Sequence, residues 1–83
     1  MNQKRNKDQI VAQILATCQE DGAIKTRIVY GVNLNFHTAN VYLDLLLEKG
    51  LLETAEGDRT IYKTTLKGER ALESLREVEA IYS

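Results

Sequence analysis

Apolar residues along this chain recur at helical spacing in four places and give way to strand-like runs between the third and the fourth. Ile10, Val11, Ile14, Leu15 and Cys18 fall at i, i+1, i+4, i+5 and i+8, with Gln9, Gln13 and Glu20 opposite, which predicts an amphipathic helix over 7–20. Asp21-Gly22 supplies the turn chemistry that ends it. Ile24, Ile28, Val29 and Val32 form the apolar side of a shorter helix from Lys25 to Val32, its end weakened by Gly31. Asn33-Leu34-Asn35 reads as a tight connection, and Asn35 is a good cap for a third helix over 35–49, which Gly50 stops. On that helix Phe36, Ala39, Leu43, Leu46 and Leu47 make a core stripe, leaving His37, Thr38, Asn40, Val41 and Asp44 outward.

Beyond Gly50 the pattern changes. Residues 51–54 (LLET) and 60–64 (TIYKT) are rich in β-favouring types and flank the turn-like AEGDR, which predicts a hairpin over 51–64. Thr65 then caps a last helix, in which Ala71, Leu72, Leu75, Val78, Ile81 and Tyr82 recur at spacings of three and four. Three helices followed by a hairpin, with a short turn between helices two and three, is the order of a winged helix-turn-helix domain. The expected class is therefore α+β, mostly α: a single domain over 1–83, with its winged-helix core at 7–64 and a dimerisation helix at 65–83.

Length sharpens this picture. A chain of 83 residues holds one small core and buries only about 60–65% of its unfolded surface, so it is marginal without a disulfide, a metal or a partner subunit. Cys18 is the only cysteine and His37 the only histidine, which excludes an intrachain disulfide and a Cys/His zinc site built from one chain; no cofactor is expected. Cys18 continues an apolar stripe and reads as a buried core residue, not a reactive thiol. Self-association remains. Ala71, Leu75, Val78 and Tyr82 step by four, three and four as a coiled-coil seam does, and Leu72 and Ile81 widen the stripe. The helix ends about 25 Å from its start, past a core this small. A homodimer paired antiparallel through 66–82 is expected; the plainer reading folds the helix back on its own core. The first ten residues, MNQKRNKDQI, lack the apolar stretch of a secretion signal, and no run approaches the roughly 18 apolar residues of a membrane span, which points to a cytoplasmic protein without a membrane partner.

The net charge of −1 speaks against a histone-like protein, but the distribution says more. Residues 1–43 carry five basic and three acidic side chains, residues 44–83 six basic and nine acidic, and no acid lies between Gly22 and Leu43. A surface facing a polyanion needs such a stretch. Lys25 and Arg27 start the second helix, where a helix-turn-helix crosses the phosphate backbone, and Thr26 can add a hydroxyl. His37, Thr38 and Asn40, with Val41 beside them, are the base-edge candidates: Asn pairs bidentately with adenine, and Thr meets a thymine methyl or a phosphate. Asn35 serves first as a cap, next to helix amides that can hold a phosphate. Arg59 at the hairpin tip, supported by Lys63, offers a backbone contact, and Lys4, Arg5 and Lys7 form a basic arm. Tyr30 and Tyr42 read as core-edge residues with a wet hydroxyl. No paired carboxylates, phosphate-binding glycine loop or nucleophile triad support an enzyme, and His37 has no partner for catalysis.

Several runs carry a family likeness: Ala23-Ile24-Lys25-Thr26-Arg27-Ile28-Val29-Tyr30, Leu34-Asn35-Phe36, Tyr42-Leu43-Asp44-Leu45-Leu46-Leu47-Glu48-Lys49-Gly50-Leu51-Leu52, and Tyr62-Lys63-Thr64-Thr65-Leu66-Lys67-Gly68. Over residues 7–70 the chain resembles the small archaeal winged-helix proteins described as predicted transcriptional regulators, some of which dimerise through a terminal helix. The resemblance implies a homodimer that binds double-stranded DNA, with the third helix in the major groove and the hairpin as wing. This chain departs from it where similar proteins carry lysines, on the outer face of the third helix. That departure and the net negative charge favour the alternative of a winged-helix protein–protein module without DNA binding.

Overall fold

The first helix is set by a reciprocal cap: the Asn6 side chain accepts the Gln9 amide at 2.8 Å, and the Gln9 side chain accepts the Asn6 amide at 2.9 Å. In the computed structural model, which describes residues 5–82, the chain runs α1 (Lys7–Thr17), α2 (Lys25–Val32), α3 (Phe36–Glu48), β1 (Leu52–Ala55), β2 (Ile61–Thr64) and α4 (Leu66–Tyr82). Lys4 of the expected basic arm and Ser83 of the expected last helix lie outside the described residues.

α1 stops at Thr17, short of the expected residue 20, although Cys18 continues its apolar stripe. The chain turns instead through Glu20 and Gly22, both left-handed at φ 60° and 80°. The turn carries Ala23 to the hairpin, where it exchanges both backbone hydrogen bonds with Tyr62 at 2.9 and 2.8 Å. Gly22 is required there, since a Cβ would stand 2.7 Å from both Ile61 Cγ2 and the Tyr62 carbonyl oxygen. The hairpin is antiparallel, pairing Leu52 with Thr64 through Ala55 with Ile61.

Ile14, Leu15 and Cys18 meet Ile28 and Val32 of α2, Leu43 and Leu46 of α3, Leu52 of β1 and Leu72 of α4 in one core. Hydrogen bonds fix the wing to it: the Thr64 hydroxyl donates to the Leu15 carbonyl at 2.7 Å, and the Thr64 amide to the Cys18 carbonyl at 2.9 Å. Thr65 caps α4 as expected, accepting the Gly68 amide at 3.0 Å while its hydroxyl donates to the Gly50 carbonyl at 2.7 Å. Lys67 Nζ reaches the Lys49 carbonyl at 2.8 Å, tying the end of α3 to the start of α4.

Three expectations about burial need correction. Phe36, assigned to the core stripe, is 49% exposed, because the first turn of α3 extends beyond the core that Ala39, Leu43 and Leu46 enter. Tyr30, read as core-edge, is 74% exposed; it follows Thr26 by one turn, on the side of α2 away from Ile28, Val29 and Val32. Leu72, assigned to a dimer seam, is 2% exposed and belongs to this chain's own core, with Ala71 packed against it. Leu75 is half-buried, and the seam residues left on the surface are Val78, Ile81 and Tyr82.

Candidate nucleic-acid interface

The turn between α2 and α3 decides which way α3 points. Asn33 ends α2 in the left-handed region at φ 60°, a conformation asparagine tolerates better than most residues, and the Leu34 amide closes back on the Val29 carbonyl at 2.9 Å. Asn35 then accepts the Thr38 amide at 2.7 Å and starts α3. The cap role expected of Asn35 is thus its role in the fold. Arg5 locks the turn from outside: its guanidinium donates to the carbonyls of Val32 and, at 3.1 Å, of Asn33, and to the Gln13 side chain. A cation on the last carbonyls of α2 also opposes the negative end of that helix. Arg5, expected in the basic arm, is therefore tied into the fold.

Around this turn the predicted residues separate by position. Lys25 is half-buried, and Thr26 and Arg27 are exposed in the first turn of α2. His37, Asn40, Val41 and Asp44 are exposed along α3, and Thr38 is half-buried beside the cap. Arg59 lies exposed in the hairpin loop and Lys63 exposed on β2. Sequence reasoning missed Tyr30 and Phe36 on this surface. The signal was present for Tyr30, whose spacing from Thr26 puts it on the outer side of α2. α3 carries no lysine or arginine, and its outer face becomes acidic only at Asp44 and Glu48. Its usable part is the first turn and a half: Phe36, His37, Asn40 and Val41, polar in the middle and apolar at both edges.

Among the described residues no group of three His, Cys, Asp or Glu side chains is placed to hold a metal, and no helix is long and apolar enough to cross a membrane. Cys18 is fully buried, and burial pushes its thiol up to about 11, with Arg27 pulling weakly the other way; it is a core residue, as read from its stripe.

A family model described as winged helix-turn-helix matches residues 4–83. The chain belongs to the winged helix-turn-helix family. Two uncharacterised proteins of Methanocaldococcus jannaschii are similar to this winged-helix chain. MJ0290 is 35% identical over 75 residues, 90% of this chain but 34% of its own length. MJ0287 is 29% identical over 75 residues, covering 90% of this chain and 74% of its own. The chain thus spans about a third of the first relative. Among solved structures, Sso10a-2, a DNA-binding protein from Sulfolobus solfataricus, superposes with a TM-score of 0.86 at 35% identity, covering 94% of this chain and 82% of that one. A MepR mutant from S. aureus superposes at 0.77 with 18% identity, covering 94% of this chain and 61% of that one, a likeness of fold alone.

Proposed function

We propose that this winged-helix chain is a homodimeric, non-enzymatic DNA-binding transcriptional regulator that acts in the cytoplasm. It forms one domain, in which α4 gives Leu72 to the winged-helix core and its far end to pairing. The observation that carries the proposal is the exposed, acid-free surface of α2 and the first turn of α3, set at a fixed angle by Asn35 and Arg5. α3 enters the major groove with His37, Asn40 and Val41, Lys25, Thr26 and Arg27 lie along one phosphate strand, and Arg59 and Lys63 carry the wing to the backbone. The likeness to Sso10a-2, described as DNA-binding, supports this reading. Exposed Val78, Ile81 and Tyr82 support pairing of two chains through the end of α4, which would set two half-sites roughly 34 Å or a multiple apart.

Fluorescence anisotropy with a labelled genomic-fragment duplex at low salt tests the first claim; absence of binding there refutes it. A second reading, a protein–protein module, is favoured by the cation-free outer face of α3 and would then take its place. Sedimentation of the intact chain against Val78→Glu/Ile81→Glu tests pairing. Truncation after Thr65 does not serve, because it also removes Leu72 from the core. If the intact chain sediments as a monomer, the dimer is refuted.

A further inference from the structure

We infer that the outer face of α3 reads thymine by its methyl group, with Val41 as the residue that senses it. This rests on the DNA-binding reading and concerns what that surface selects. The side chains on the usable part of α3 have a narrow repertoire. With no arginine or lysine on the helix, the bidentate contact to guanine that dominates major-groove recognition is unavailable to it. Asn40, in the middle of the face, has the donor and acceptor that match adenine. Val41, beside it and 55% exposed, has no polar atom at all. The one apolar group that a base pair presents in the major groove is the C5 methyl of thymine, so only thymine rewards an exposed valine there. Valine in a helix is also held in one rotamer, so the contact costs little side-chain entropy. Phe36, on the other edge of the face and 49% exposed, adds a second apolar flank. An adenine under Asn40 and a thymine under Val41 make an A·T-biased half-site.

The test begins with selection of duplexes from a random pool by the wild-type protein, followed by replacement of each thymine of the selected site with deoxyuridine. This removes the methyl and leaves base pairing intact. One position per half-site is expected to lose about fourfold in affinity, the worth of one methyl-sized group taken out of water. Val41→Ala, an exposed substitution that leaves the core untouched, should bind thymine and deoxyuridine at that position equally. Any effect of the missing methyl on DNA shape would instead persist in the variant. Equal binding of all deoxyuridine probes by the wild type, or retained discrimination in Val41→Ala, overturns the inference. A pool that binds without enriching any sequence overturns it and leaves DNA binding standing; a pool that does not bind overturns both.

Discussion

Duplex affinity should fall with salt along a slope set by four side chains. Lys25 and Arg27 at the start of α2, with Arg59 and Lys63 on the wing, are the cations of the proposed interface. Arg5 and Lys67 are spent on carbonyls of Val32, Asn33 and Lys49 and are not counted. With four phosphates neutralised per chain, log K should fall against log salt with a slope of about −3.6, and near −7 when both chains of a dimer engage. Raising salt from about 50 to 200 mM then weakens a single engaged chain roughly 150-fold. Lys25→Ala with Arg27→Ala should halve the slope to about −1.8 and the loss to roughly 12-fold. Lys67→Ala should leave the slope unchanged. Anisotropy titrations of one duplex at four salt concentrations give all three slopes. A wild-type slope near zero, or one the double substitution leaves unchanged, refutes the assignment of these cations to phosphate.

The two helical glycines should respond in opposite directions to alanine. A Cβ at Gly31 meets nothing within 4 Å, so Gly31→Ala should gain about 0.5–1 kcal/mol, whereas at Gly68 it would stand 2.1 Å from the Leu51 carbonyl oxygen and cost about 3 kcal/mol or more; urea unfolding measures both. The Cys18 thiol ionises near 9.0 when exposed and near 11 when buried, so its stabilising effect is full below pH 9 and is lost as pH rises from 9 toward 11. Wild type should therefore lose about 2 kcal/mol more between pH 7.5 and 10.5 than Cys18→Ala does, and equal losses refute the cause. Arg5→Ala should cost about 1–2 kcal/mol and, by loosening the carbonyl end of α2, increase hydrogen exchange at Asn33 and Leu34; unchanged exchange there refutes the lock.

What the sequence made legible was local. The bounds of α2, the caps at Asn35 and Thr65 and the pairing of the hairpin follow from residue types a few positions apart. What it hid depends on contacts across the chain. The apolar stripe of α1 outlasts the helix, because the turn at Glu20 and Gly22 must deliver Ala23 to Tyr62, a partner 39 positions away. Phe36 fits the stripe by spacing, yet the core ends before the first turn of α3. Arg5 reads as one more charge in a basic run, and only the fold brings the carbonyls of Val32 and Asn33 to it. Leu72 fits a seam and a core equally well by period, and α1 decides between them by occupying that side of α4.

The same long-range contacts explain how so small a core can hold the proposed reading surface still. A recognition helix gains specificity only if its angle to the groove is fixed before binding, since freedom lost on binding is subtracted from affinity. α3 is constrained at both ends by groups outside itself. At its start, Asn35 fixes the first turn and Arg5 fixes the carbonyls that precede the turn. At its end, Thr65 and Lys67 hold the Gly50 and Lys49 carbonyls, so α4 is fastened where α3 stops. The wing is fastened in turn to α1 through Thr64. Pairing through the far end of α4 would therefore be felt at α3 through Thr65 and Lys67, and a variant that loosens this junction should lose affinity for a two-half-site duplex more than for a single half-site. Equal losses on the two duplexes would show that α4 pairs chains without orienting their recognition helices.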